Sequence, residues 1–289
     1  MTSVSASSAG RRRTLVEGDL PLTEEDFERI AALLYQDSGI TLQKGKAALV
    51  YSRLAKRLRQ IGVDSFRDYC ELLASERGLG ERKAMLVALT TNVTRFFREP
   101  HHFDHLRERL GTQAAKVSAG ARLRIWSAGC STGEEPYSIA LTLLSVLPEA
   151  ERLDVKILAS DIDSNVVATA RAGVYSDSQI ETIPAQLRAR WMERMDEGRW
   201  RMTDAVKNLI SFKELNLMGH WPMRQGFDAI FCRNVAIYFD EPTQEKLWSR
   251  FGDKLEKGGR LYIGHSERVG LSRFTSDGLT VYRLAGEPS

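Results

Sequence analysis

The stretch LRIWSAGCSTGEEPYS, residues 123–138, decides the fold. Leu123, Ile125 and Trp126 make a short apolar run of strand type. Ser127, Ala128, Gly129, Cys130, Ser131, Thr132 and Gly133 are small residues that let a backbone turn tightly and approach a ligand closely. From Glu134 onward, Pro136 suits a first helical turn, and Ile139, Ala140, Leu143 and Leu144 recur at helical spacing. Strand, glycine turn and helix form the opening unit of a nucleotide-type α/β domain, whose ligand lies at the carboxyl end of the strand. The competing reading is a small-residue turn that merely packs.

Gly129 and Gly133 do not form a GxGxxG dehydrogenase fingerprint, and no GK[ST] follows, so the turn is not a P-loop. Glu134 and Glu135 stand where a helix dipole would otherwise welcome phosphate. An acidic mouth suits a ligand with a positive group and free hydroxyls, and S-adenosylmethionine has both. Downstream, VKILASDID (155–163) reads as a buried strand ending in acids. Asp161, directly after the apolar run, is the candidate for ribose hydroxyls; the alternative is a helix N-cap by Asp161 or Asp163. A helix over 165–172 closes at Gly173.

Residues 174–208 interrupt the βα alternation, and Tyr175, Trp191, Trp200 and Met202 among charges predict an inserted subdomain with short antiparallel strands around MDEGRWRM. LISFKELNL (209–217), FDAIFCRNVAIYF (227–239) and GGRLYIGHSE (258–267) resume the strands. LTVYRL (279–284) finishes as an antiparallel edge.

Upstream, residues 1–20 read as a disordered arm. Thr23 caps a helix with a buried stripe of Phe27, Ile30, Ala31 and Leu34, ended by Gly39. A second helix over about 43–61 buries Ala47, Val50, Leu54, Leu58 and Ile61. Lys46, Arg53, Lys56 and Arg57 fall in a sector about 100° wide beside that stripe, with Lys44 and Arg59 nearby. This is either a solvated basic face or a docking surface for an acidic partner. Asp64 caps a third helix through Ala74, Glu81 opens a fourth, and TTNVTRFFRE (90–99) runs to the helix breaker Pro100. Leu106 and Leu110 continue a further short helix. The sequence thus divides into the arm 1–20, a helical domain 21–112, a linker 113–122 and an α/β domain 123–289.

Composition agrees with a globular protein: 289 residues, 43% hydrophobic and 27% charged. No apolar run approaches the roughly 18 residues of a membrane span, so no direct membrane insertion is expected. The amino terminus lacks an apolar signal core, and Cys70, Cys130 and Cys232 show neither pairing nor metal spacing, so a reducing compartment, by default the cytoplasm, is expected. Residues 1–120 carry 19 Lys/Arg against 15 Asp/Glu, and the remainder 22 against 23. So slight a basic excess does not indicate nucleic acid.

TTNVTRFFRE, SAGCSTGEEPYS, ASDID, FDAIFCRNVAIYF and GHSE, in this order and spacing, closely resemble the chemotaxis-receptor glutamate methyltransferases, the CheR family. The resemblance covers about 23–285. It implies an all-α amino-terminal domain joined to a class I, Rossmann-like methyltransferase domain, an α/β fold with a seven-stranded mostly parallel sheet. It also implies S-adenosylmethionine as methyl donor, S-adenosylhomocysteine as product, and glutamates on chemoreceptor cytoplasmic helices as acceptors. Ligand contacts carry over to Asn92, Thr94, Arg98, Glu135, Asp161, Asn216, Leu217, Asn234 and Val235, beside the turn glycine Gly129. The basic face (Lys46, Arg53, Lys56, Arg57, Arg59) becomes the receptor-docking surface, and a monomer is favoured. In one respect the chain departs from the pattern. The loop around 195–201, which in some members grips a receptor-tail peptide, is shortened and keeps only Gly198, which argues against tethering.

A glutamate acceptor is already ionised at neutral pH, so orientation matters more than a strong base. Arg98, with a bidentate fork, and Tyr238, four residues beyond Asn234, are the candidates for orienting it. Their alternatives are an ion pair with Glu99 and packing beside Phe239. Arg233 could do similar work or brace Asp161 or Glu135. His101, His102 and His265 lack metal-ligand spacing, and no metal is expected. Two rivals are a nucleic-acid methyltransferase, against which no NPPY-like segment follows the fourth strand, and a cofactor-binding adaptor without turnover.

Overall fold

The computed structural model describes residues 13–196 and 198–286. The chain falls into two compact units, Met1–Thr90 and Thr91–Ser289.

The first unit opens with a small antiparallel pair, β1 (Thr14–Val16) and β2 (Leu22–Thr23), followed by α1 (Glu24–Ser38), α2 (Ala47–Ile61), α3 (Phe66–Ala74) and α4 (Leu79–Leu89). The end of the expected disordered arm is therefore a strand. Thr14, Leu15 and Val16 are half-buried, and a Cβ on Gly18 would lie 2.1 Å from the Tyr51 hydroxyl on α2, so this segment is packed down. Residues 1–12 of the arm lie outside the described residues. Thr23 caps α1, accepting from the Asp26 amide at 3.2 Å. The third helix is capped by Ser65, whose hydroxyl accepts from the Asp68 amide at 3.1 Å, rather than by Asp64. Phe27, Ile30, Leu34, Val50, Leu54, Leu58, Phe66, Tyr69 and Met85 are buried and form this unit's core.

The second unit begins with α5 (His101–Ser118), β3 (Leu123–Ala128), α6 (Glu134–Val146), β4 (Val155–Asp161) and α7 (Ser164–Ala172). Next come β5 (Val174–Ser176), α8 (Ala185–Trp191), β6 (Met192–Arg194), β7 (Arg199–Met202), α9 (Asp204–Lys207) and β8 (Ile210–Glu214). β9 (Phe227–Cys232), α10 (Glu241–Gly252), β10 (Leu255–Ile263), β11 (Phe274–Gly278) and β12 (Val281–Leu284) complete it. The expected linker 113–122 is largely the last turns of α5: Ala114, Ala115 and Lys116 favour helix, and Val117 is buried.

A seven-stranded sheet runs β11-β12-β10-β9-β3-β4-β8, with β3, β4, β8, β9 and β10 parallel. β12 is antiparallel as expected, but it lies between β10 and β11 and is not an edge. The edge strand β11 went unread because only Phe274 of FTSDG is buried. The strand over 227–239 stops at Cys232, since Asn234 at φ 59° turns the chain into a 3-10 turn, Ala236–Tyr238. β5, β7 and β6 form the inserted three-stranded antiparallel sheet. Glu197, in the loop between β6 and β7, lies outside the described residues.

Candidate functional site

The turn between β3 and α6 is set by close approach. Gly129 has φ 93°, and a Cβ there would sit 2.4 Å from Val235 Cγ2. Its amide and that of Cys130 both donate to the Ser160 carbonyl on the neighbouring strand, at 2.8 and 2.9 Å. At the end of β4, Asp161 accepts from the Ser131 amide at 2.8 Å and the Asp163 amide at 3.1 Å. Asp163, not Asp161, caps α7. Asp163 also accepts from Asn92 Nδ2 at 3.0 Å, while the Ser131 hydroxyl donates to the Asn92 carbonyl at 2.9 Å. The segment 92–98 is thereby strapped to the glycine turn. Its other end is held by the Phe97 amide donating to Ser138 Oγ at 2.9 Å.

At the start of α6, Glu135 is buried. It accepts from the Ser127 hydroxyl at 2.7 Å and from Arg233 Nη1 at 3.3 Å. Arg233, also buried, reaches Glu99 Oε2 at 3.4 Å, and Glu99 Oε1 accepts from His265 Nδ1 at 2.9 Å. Arg233 thus braces Glu135 and not Asp161. Arg98 is not paired with Glu99; its guanidinium donates to the Val93 carbonyl at 3.3 Å. Thr94 and Tyr238 are half-buried. Asn216 Oδ1 closes a local turn onto the Met218 amide at 2.9 Å, and Leu217 is buried. The Leu215 amide donates to the Asp161 carbonyl at 2.8 Å, so β8 delivers this turn beside Asp161.

Burial raises the carboxyl pKa of Glu134, Glu135 and Asp161 above the ordinary range. At Glu135 the Arg233 charge and the Ser127 hydroxyl oppose that rise. Burial also pushes Glu99 up, but the His265 hydrogen bond and the Arg233 charge outweigh it and leave it below its usual value. Partly desolvated carboxylates around a glycine turn gain most from a cationic ligand with hydroxyls to bind. This donor set fits S-adenosylmethionine. Glu99, His101 and His102 bring three ligand-capable atoms within 4.8 Å of one another, but the Arg233 guanidinium against Glu99 opposes a divalent ion there.

Comparison with known proteins settles the family. The family described as "CheR methyltransferase, SAM binding domain" matches residues 92–280, and "CheR methyltransferase, all-alpha domain" matches residues 25–90. The chain belongs to the CheR methyltransferase family. It is 53% identical over 258 residues to a probable chemotaxis protein methyltransferase of Rhizobium etli, covering 87% of this chain and 96% of that one. It is 41% identical over 292 residues to the chemotaxis protein methyltransferase of Klebsiella aerogenes, covering 99% and 98%. The Escherichia coli chemotaxis protein methyltransferase is 42% identical over 276 residues, covering 92% and 93%. S-adenosylmethionine is accordingly the cofactor of this CheR-family chain.

The sequence missed three members of the site. Ser127 bonds Glu135 within the strand–turn–helix unit itself. Glu99 meets His265 and Arg233, and Glu267 accepts from the Asn234, Val235 and Ala236 amides at 3.0, 2.9 and 2.7 Å, across segments that no local spacing relates, although Glu267 belongs to the GHSE motif that carries the resemblance. The basic face of the first unit is also altered. Arg53 donates to the Ala88, Leu89 and Thr90 carbonyls at 3.3, 2.9 and 2.6 Å, and Arg57 forks onto Glu81 at 2.8 and 2.6 Å. These two arginines close α4 onto α2. Lys46, Lys56 and Arg59 are exposed, with Arg59 3.7 Å from Asp19.

Proposed function

We propose that this protein methylates glutamate side chains on the cytoplasmic helices of chemoreceptors, forming glutamyl methyl esters without needing a receptor-tail peptide. The observation that carries the reading is the match to both CheR domains along residues 25–280, which have around the glycine turn a set of acids suited to a sulfonium cofactor. The chemotaxis names of the relatives supply the receptor class.

When bound, S-adenosylmethionine supplies an activated methyl group on a cationic sulfur. Asn92, Thr94, Arg98, Gly129, Glu135, Asp161, Asn216, Leu217, Asn234 and Val235 would hold it. The substrate carboxylate needs no base, because an ordinary glutamate is ionised well above its pKa near 4.3. What the chain must do is place one carboxylate oxygen in line and exclude water, and positioning of this kind can lower a barrier by several kcal/mol. Arg98 and Tyr238 orient that carboxylate. Because opposite charges neutralise as reaction proceeds, a loose hold on the carboxylate serves better than a tight one.

Lys46, Lys56 and Arg59 are the groups we assign to receptor docking. The short β6–β7 loop, closed by the Met195 amide donating to the Arg199 carbonyl at 2.8 Å, supports tether independence. Methylation rates on a receptor cytoplasmic fragment with and without its carboxyl-terminal peptide test this: equal rates are expected, and dependence on the peptide would overturn it.

A further inference from the structure

Glu267 is buried beyond β10 and contacts four backbone amides at once. Oε1 accepts from Val235 at 2.9 Å and Ala236 at 2.7 Å; Oε2 accepts from Asn234 at 3.0 Å and Gly264 at 2.5 Å. Three consecutive N–H groups that converge on one carboxylate make an anion nest, here filled by the protein's own side chain. Such a nest requires the backbone to bend between its donors, and Asn234 is the bend, at φ 59°. Gly264 makes room for it: a Cβ there would stand 2.6 Å from Asn234 Nδ2 and 2.9 Å from both the Asn234 amide and Glu267 Oε2. On the far side of the loop Val235 Cγ2 fills the space that a Gly129 side chain would need. The carboxylate therefore ties the chain after β9 to the glycine turn after β3.

We propose that Glu267 is a positioning residue for the methyl-donor site, holding residues 234–236 in the bent form that presents Asn234 and Val235. This rests on the assignment of those two residues to the cofactor. Burial alone gives no reason for an acid in this place, since an apolar residue would leave four N–H groups unsatisfied whereas the carboxylate satisfies all of them.

The test measures affinity for S-adenosylhomocysteine by calorimetry, together with thermal stability, for Asn234→Ala, Glu267→Gln, Glu267→Ala and a control, Val117→Ala, in the α5 core. Asn234→Ala and Glu267→Ala should each weaken binding tenfold or more. Glu267→Gln should fall between Glu267→Ala and the parent, because its amide oxygen still serves Val235 and Ala236 while its amide nitrogen opposes the Asn234 and Gly264 donors. Val117→Ala should lower the melting temperature and leave affinity unchanged. If Glu267→Ala does not fold, Glu267→Gln carries the test alone. Parent-like affinity in the Glu267 variants, with Asn234→Ala weakened, overturns the positioning role only. Parent-like affinity in Asn234→Ala overturns the site assignment and the inference with it.

Discussion

Gly129 has no room for a side chain: its backbone is left-handed, and a methyl group would overlap Val235. Gly129→Ala must move Val235 or the turn, and left-handed backbone alone costs an alanine about 1–2 kcal/mol. We predict at least a tenfold loss of S-adenosylhomocysteine affinity for Gly129→Ala, read by calorimetry, with the sheet still folded by circular dichroism. Unchanged affinity would mean that the turn is not where the cofactor lies. The glycine was legible in sequence because a small-residue turn between a strand and a helix has few other uses. Arg233 was legible only as a set of options. Its choice of Glu135 and Glu99 depends on the turn at Asn234, and that turn is held by Glu267, more than thirty residues along the chain.

Between α2 and α4 the basic residues divide into two groups. Arg53 takes the carbonyls at the end of α4, which have no partner within the helix, and Arg57 pairs with Glu81, which also accepts from Tyr69. Arg53→Ala should cost about 1.5–3 kcal/mol of stability, the range for hydrogen bonds to a charged group, measured by urea unfolding. Lys46 and Lys56 are exposed, so reversing both to Glu should leave unfolding unchanged and lower receptor methylation at low salt. Equal receptor kinetics would remove this face from docking. Helical periodicity placed all four side chains in one sector. It cannot tell which of them find partners on another helix, because that depends on packing between segments more than twenty residues apart. The same limit hid β11, whose one buried side chain gives no period to read.

The methyltransferase unit as a whole carries a buried histidine with a pH signature. His102 Nε2 bonds to Thr280 Oγ1 at 2.8 Å; burial, then the Arg233 and His101 charges, push its pKa down from 6.5 to about 3 despite nearby Glu99. The folded state binds fewer protons than the unfolded chain between those values. This contribution to stability is therefore present above pH 6.5 and is lost as pH falls toward about 3. His102→Gln, which keeps a polar partner for Thr280 and does not titrate, should flatten stability against pH between about 6 and 4 by on the order of 1 kcal/mol per pH unit. An identical slope in the variant would show that His102 is not held neutral. None of this was visible in FFREPHHF, since what silences the histidine is the sheet folded over it.

Carboxyl methylation of receptor glutamates is the central claim, and the chemistry of its product tests it directly. Radiolabelled S-adenosylmethionine is incubated with this protein and cytoplasmic fragments of the host's chemoreceptors, and the labelled receptor is then treated with base. We predict incorporation into the receptor and release of volatile labelled methanol, the mark of a methyl ester. Label that stays on the receptor through base, or none transferred while the cofactor binds, would contradict the account.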